Sequence, residues 1–293
     1  MSARELSAVQ SNSTGAKIKR GVSAAAANLA MAIFSLSCLF PVVWMAYSSF
    51  KDQREFNANV ISFPVKLYLQ NYQNVIGRQD ANLLRAIGNS FFVTLIAIVF
   101  IVLFGFLTGY MLGRVKFRGN RAVFGMFLLG MLIPVHSLMV PMYVLFRQFR
   151  FTDSLTALSL PYIAFGLPIA IFLVEGYIKG IPASFEEAAS IDGCNFHRTL
   201  FTIMLPICKP VLATVAVIQT FACWNEFSFA LVLISNAKKR TVPLEIAMLK
   251  GQYSSNYPQI FATMLLAMIP TIIFYFVFRK QVMKGMVAGA VKG

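Results

Sequence analysis

Apolar runs long enough to cross a bilayer alternate with short polar intervals along this 293-residue chain. The runs fall at about 24–50, 88–113, 122–146, 155–178, 203–234 and 259–278. A helix needs ~20 apolar residues to cross a hydrocarbon core about 30 Å thick, and only helices and closed barrels satisfy every backbone group there. The pattern predicts an all-α transmembrane fold of six helices over 23–293, preceded by a loose tail, 1–22. The first run is too long for the core of a cleaved signal peptide and is expected to remain as a span, kinked at Pro41. The run 203–234 is too long for an upright crossing at 1.5 Å per residue, so its start is expected in the interface, or the helix tilts.

Among the polar intervals, 179–202 has the most internal order. Pro182 suits a first helical turn, where its missing N–H is no loss. Ser184 and Glu187 have capping-box spacing, and Glu186, Ala188 and Ala189 are competent helix formers. Asp192-Gly193 supplies a stop, because glycine takes the left-handed conformation that commonly ends a helix. Asn195 is placed to cap a second helix running into the next span. The expectation is a short amphipathic helix, a glycine turn and another helix, all outside the lipid.

A composition of 58% hydrophobic and 13% charged residues excludes an ordinary soluble domain. A net charge of +15 raises nucleic acid as a partner, but there is no soluble basic domain to hold it, and no nucleic-acid partner is expected. Bases flanking membrane segments account for the charge and set orientation. Arg114, Lys116, Arg118 and Arg121 follow the second run with no acid among them, so this turn is expected in the cytoplasm. With both termini inside, fifteen of the twenty-six Lys and Arg fall on the cytoplasmic side. The 179–202 interval then faces the cytoplasm too. Cys38, Cys194, Cys208 and Cys223 show neither a disulfide framework nor metal spacing and read as small packing residues.

Nothing in the chain suggests bond chemistry. GxxxxGK[ST], HExxH and GxSxG are all absent, so no catalytic residue, metal or bound cofactor is expected and ATP must be handled elsewhere. His136 and His197 lie too far apart to suggest a metal site by spacing. A hydrated solute needs a polar-lined passage, since a hydroxyl stripped of water without new partners costs several kcal/mol. Asn89, Ser90, Thr94, His136, Tyr143, Tyr162, Gln219, Asn225 and Glu226 are the candidates to line one. The competing reading at each position is a helix–helix hydrogen bond.

Glu187-Ala188-Ala189, Gly193, Ile203, Leu205 and Pro206 together resemble the EAA signature of permease subunits of ATP-binding-cassette importers. Other blocks extend the likeness: Ser62-Phe63-Pro64, Leu69-Gln70-Asn71-Tyr72, Gly109-Tyr110-Met111-Leu112-Gly113-Arg114 with Phe117-Arg118-Gly119, Trp224-Asn225-Glu226-Phe227 and Gly289-Ala290-Val291-Lys292-Gly293. They are similar to the MalG-type permeases of carbohydrate importers, with Cys194 and Gly113 standing where alanine is more usual. The resemblance implies a type I importer permease fold in a bacterial inner membrane. Its coupling helix would use Glu186, Glu187, Ala188, Ala189, Asp192, Gly193, Leu205 and Pro206, with Glu187 bonding a basic residue of the ATPase. It also implies a second homologous permease, an ATPase dimer that binds ATP and Mg, an extracytoplasmic solute-binding protein and a carbohydrate substrate. A polyol, a glycerol phosphate or an acidic oligosaccharide stays open as the solute, with Lys238, Lys239 and Arg240 as bases suited to an anion. A membrane scaffold or receptor and a proton-coupled carrier are the readings from other classes.

Overall fold

The computed structural model describes residues 3–77, 83–252 and 256–290, with side chains described over 24–77, 83–248 and 256–278. Val291, Lys292 and Gly293 of the C-terminal block lie outside the described residues. The chain order is α1 Ala3–Ser48, α2 Gln53–Ala58, α3 Gln70–Gly77, α4 Leu83–Arg114, α5 Asn120–Gly130, α6 Met139–Gln148, α7 Leu155–Lys179 and α8 Ser184–Ile191. Then follow α9 Phe196–Arg198, α10 Leu205–Trp224, α11 Ser228–Leu233, α12 Val242–Gln252 and α13 Tyr257–Ala290. Among the described residues there is no strand. The expected loose tail is instead helical from Ala3 onward, continuous with the first span. Its Ala, Arg, Glu, Leu and Lys are good helix formers, and no proline interrupts them.

Helices α4, α7 and α10 form the tightest part of the bundle, with α13 on the far side of α10 and α1 resting chiefly on α13. Lipid tails are as apolar as leucine, so helices associate here through close van der Waals contact rather than by escape from water. The contact between α4 and α7 is built on glycine. A Cβ on Gly105 would lie 2.7 Å from Ala170 Cβ, one on Gly109 2.7 Å from Val174 Cγ1, and one on Gly113 3.0 Å from Ile178 Cγ2. Gly166 answers from α7, where a Cβ would meet Ile101 Cδ1 at 2.5 Å. The spacing of three glycines by four residues puts them on one helical face, so the two backbones approach closely over two turns.

At 32 residues α4 is about 48 Å long. That exceeds the hydrocarbon core, and polar contacts gather where its ends emerge. At one end Asn89 Nδ2 donates to the carbonyls of Lys238 (3.0 Å) and Arg240 (2.9 Å), and Ser90 Oγ accepts from Val242 N at 2.9 Å. At the other end lie Tyr110, Arg114 and the 179–198 elbow.

The run expected as one span at 122–146 is broken. Helices α5 and α6 meet at 89° across a 3₁₀ turn at Val135–Leu138. Pro134 is the reason: it donates no backbone bond and drives the preceding residue out of the helical region. The two halves still make one crossing. Asn120 Nδ2 donates to the Leu112 and Val115 carbonyls, both at 3.0 Å, which ties the start of α5 to the elbow end of α4. After α6, Asp153 N donates to Leu233 O (2.8 Å), and Asp153 Oδ1 accepts from Ser235 N (2.6 Å) and Asn236 N (2.7 Å). That segment is the one Asn89 holds at the opposite end.

The fifth crossing also departs from its expected bounds. It is the continuous stretch Phe196–Trp224, not 203–234. Its entry contains a wider, π-helical turn, Thr199–Met204, in which Leu205 N donates to Leu200 O. The wide turn sits immediately ahead of Pro206, whose ring and missing N–H do not fit a regular α-helix. The crossing stops at Trp224 because Glu226 turns its carboxylate onto the amides of Phe229 (2.8 Å) and Ala230 (3.3 Å), starting α11. The polar pair Asn225-Glu226 marks that break only locally, because the residues after it are apolar again.

The interval 51–77 is organised around two buried polar side chains. Lys51 is fully buried, donating from Nζ to the carbonyls of Asn59 (2.9 Å) and Val60 (3.3 Å), and burial pushes its pKa down. Asn71 Nδ2 donates to the carbonyls of Ser49 and Lys51, both at 2.8 Å, satisfying acceptors at the end of α1.

The glycine seam makes a direct prediction. Gly105→Val forces α4 and α7 apart and is expected to cost about 1–3 kcal/mol. In the same helix a Cβ on Gly88 would meet nothing within 4 Å, so Gly88→Val is expected to leave stability unchanged. Thermal unfolding of the two variants purified in detergent checks the contrast.

Candidate functional site

The elbow between α7 and α10 begins with α8, whose N-cap is Ala183. The expected capping box is not formed: no side chain caps α8, and Ser184 Oγ makes none of the described hydrogen bonds. Pro182 precedes the cap rather than occupying the first turn. The helix ends as a Schellman motif, with Cys194 N donating to Ala189 O (2.9 Å) and Gly193 N to Ser190 O (3.1 Å). Gly193 carries φ +75°, the left-handed value that disfavours any side chain. Asn195 caps α9, accepting from Arg198 N at 2.9 Å. A short rigid helix therefore joins two membrane crossings through two closed turns.

The two neighbouring glutamates have opposite surroundings. Glu186 faces inward and is held by α4: Tyr110 donates its hydroxyl to Oε1 at 2.8 Å, and Arg114 Nε lies 3.1 Å from Oε2. Arg114 also donates from Nη2 to the Ile181 carbonyl at 2.5 Å. The Arg114 and Glu186 side chains are only 15% and 20% exposed, so the pair is screened much less than a surface ion pair. Phe196 adds an edge contact to the Tyr110 ring at 6.0 Å. Glu187 faces outward, exposed, with no hydrogen bond or ion pair among the described residues.

The other sequence-selected elbow residues divide the same way. Ala189 is buried and Leu205 half-buried; Ala188, Asp192, Gly193 and Pro206 are exposed. Phe185 and Ile191 join the outer face at 49% and 87% exposure. Sequence reasoning missed the Tyr110–Glu186–Arg114 contact, although Tyr110 and Arg114 stand four residues apart and therefore share a helix face. On α7, the buried Glu175 pairs with Lys179 four residues on.

Residues 102–286 match the family described as binding-protein-dependent transport system inner membrane components. The chain belongs to that family. The matched stretch runs from the middle of α4 through the elbow and into α13. Among relatives, the sulfoquinovosyl glycerol transport system permease SmoH of Agrobacterium fabrum is 30% identical, over 90% of this chain and 93% of its own. The trehalose/maltose transport system permease MalG of Thermococcus litoralis is also 30% identical, over 89% and 94%. Among solved structures, a bacterial ABC transporter involved in import of the acidic polysaccharide alginate superposes with a TM-score of 0.72. It is 25% identical, with 86% of this chain and 93% of that chain covered.

The fold does not gather this permease's candidate pathway residues into one cluster. Asn89 and Ser90 are taken up in holding the 238–242 segment. Gln219 is buried, its Nε2 3.4 Å from the Gly166 carbonyl, and so serves the α7–α10 contact. Glu226 starts α11, and Asn225 Nδ2 returns to Phe221 O at 2.9 Å. The Tyr162 hydroxyl is buried near the Glu226 carboxylate without a well-formed hydrogen bond, and the Thr94 hydroxyl is buried without a partner. His136 is exposed on the broken helix, Nδ1 3.5 Å from Ser228 Oγ, and Tyr143 is exposed beyond it. Of the set, His136, Tyr143 and Asn225 keep exposed side chains. Among the described residues no group of His, Cys, Asp and Glu is arranged to hold a metal ion.

The division of labour between the glutamates is testable in the isolated chain. Hydrogen bonds to a charged group contribute ~1.5–3 kcal/mol, so Glu186→Ala is expected to speed amide exchange across 184–192 by roughly ten- to a hundredfold. Glu187→Ala is expected to leave exchange in the same amides at the parent rate.

Proposed function

We propose that the chain forms half of the translocation path of an ATP-driven importer for a sugar or oligosaccharide, and that the α8 elbow couples it to an ATPase subunit. The observation that carries the reading is a short helix clear of the apolar spans, locked to α4 through Glu186 and offering Phe185, Glu187, Ala188 and Ile191 outward. An apolar pair flanking a free carboxylate suits a cleft with an apolar floor and a basic rim. Glu187 supplies the charge-assisted contact to a basic residue of that cleft. Because α8 is tied to α4, and α4 to α7, a displacement of the elbow turns the bundle as a rigid body. Leu205 and Pro206 hold the entry to the fifth crossing, and Gly193 sets the turn that aims it.

The remaining parts of the reading follow from this. The elbow and both termini face the cytoplasm of a bacterium, where the basic 114–121 turn also belongs. ATP and Mg are bound by an ATPase dimer, a second homologous permease completes the path, and a solute-binding protein delivers substrate on the outer face. SmoH and MalG are named for transport of sugar-containing solutes, which supports a carbohydrate. The anionic alternative gains little from 238–240: Lys239 Nζ donates to the Asp153 carbonyl and Arg240 pairs with the buried Glu245 at 3.4 Å. Internal contacts occupy these two of the three bases, and only the Lys238 side chain stays exposed without a partner among the described residues.

In the assembled importer, Glu187→Ala is expected to lower solute-stimulated ATP hydrolysis and uptake together by at least an order of magnitude, at unchanged membrane level. Truncating one partner of a buried charged contact costs ~2–5 kcal/mol. Uptake that persists in the variant, or that survives ATP depletion and collapses with the proton gradient, overturns the reading.

A further inference from the structure

The turn joining α4 to α5 carries four bases and no acid over residues 114–121, and the fold separates them into one and three. Arg114 is engaged by Glu186 and the Ile181 carbonyl. Lys116, Arg118 and Arg121 are exposed, and none has a hydrogen bond or ion pair among the described residues. Phe117 stands between the first two, 42% exposed. The backbone beneath them is fixed: Asn120 bonds the Leu112 and Val115 carbonyls, and Gly119 takes φ +95°. Three like charges are thus held on a closed turn with no internal counter-charge. The nearby Lys179, whose Nζ lies 5.7 Å from the Phe124 ring centroid, brings no acid to them, because its partner Glu175 is buried within α7.

Two apolar helices leave this turn for the bilayer interior, so its surroundings are lipid headgroups. We propose that the 116–121 turn is a binding site for the phosphate of an anionic phospholipid. Lys116, Arg118 and Arg121 are its cationic contacts, and Phe117 is seated at the acyl border. Clustered bases beside a membrane crossing draw anionic lipid by about 1 kcal/mol each, and an apolar ring among them buries at the boundary of headgroups and acyl chains. The bound lipid neutralises the cluster and holds the end of α4 two residues from Arg114, the residue that grips the elbow. The site requires neither the sugar nor the ATPase, so it stands or falls separately from the transport reading.

The test is binding of phosphatidylglycerol and phosphatidylcholine to the purified full-length chain in neutral detergent, followed by native mass spectrometry. The parent is expected to prefer phosphatidylglycerol. The triple variant Lys116→Gln, Arg118→Gln, Arg121→Gln is expected to lose on the order of a hundredfold in its affinity. Arg54→Gln, Lys66→Gln, Arg147→Gln removes the same charge from exposed positions at the other end of the bundle and is expected to keep the preference. Equal losses in both triple variants would mean diffuse charge attraction and overturn the site. So would an unchanged affinity in the first variant, or displacement of the lipid by equimolar glycerol phosphate, which would mark a free-phosphate site. Should the first variant in a phosphatidylcholine bilayer fail to assemble with ATPase that the parent binds there, the turn is a protein contact and the lipid assignment is wrong.

Discussion

A carboxylate shared between a tyrosine and an arginine joins the part of this protein that lies in lipid to the part that does not. Glu186 reaches back from α8, and Tyr110 and Arg114 reach out from the last turn of α4. Without that link α8 would hang between two turns, free to pivot on Gly193. With it, the elbow has a fixed angle to the longest helix in the core. The ion pair is largely shielded from water and so is screened little, and the Tyr110 hydroxyl and the Ile181 carbonyl add hydrogen bonds that offset part of the lost hydration. A surface pair of the same residues would fix nothing.

The link matters because of what α4 is attached to. Gly105, Gly109 and Gly113 bring α4 against α7 with no room for even a methyl group, and Gly166 returns the fit from the other side. Interiors packed this closely move as units rather than deforming. Helix α10 crosses both and closes the group. Displacement delivered at α8 therefore reaches α4, α7 and α10 as one body. The peripheral elements are built differently: α1 has no buried residue in its apolar window, and α5 buries none. Those surfaces are left for lipid and for neighbouring chains.

Much of this was legible from the chain alone, and the parts that were not share a cause. Long apolar runs announce crossings because lipid leaves no alternative for the backbone, and Gly193 and Asn195 announce turns because their conformations are local. Local chemistry also misleads. Ser184 and Glu187 have the spacing of a capping box, yet α8 starts one residue earlier than that box requires, with Ala183 as its N-cap, and Glu187 points away. Hydropathy could not end the fifth crossing at Trp224, since 225–234 is nearly as apolar as what precedes it; two amide bonds to Glu226 decide it. The glycine seam was the most readable feature passed over, because spacing by four on an apolar helix has a physical meaning by itself. Which glutamate faces inward needed the partner helix, which is distant in sequence.

Asn89 and Ser90 show how a polar residue in an apolar run should be weighed. Both open the second run, and both were candidates to line a path for solute. A 32-residue helix overhangs the hydrocarbon core, so its first polar residues sit where backbone from the next segment arrives needing partners. Asn89 gives both amide protons to carbonyls there and keeps no donor for a passing hydroxyl, while Ser90 accepts one amide and is buried. Asp153 does the same work at the neighbouring junction, accepting two amides from the 235–236 segment. Polar side chains near the ends of crossings are consumed by the chain's own connections. A residue that serves a moving solute must instead remain exposed after those connections are made. The broken helix α5–α6, with Pro134 at its bend and His136 and Tyr143 uncovered beyond it, meets that condition where the straight, well-packed crossings do not.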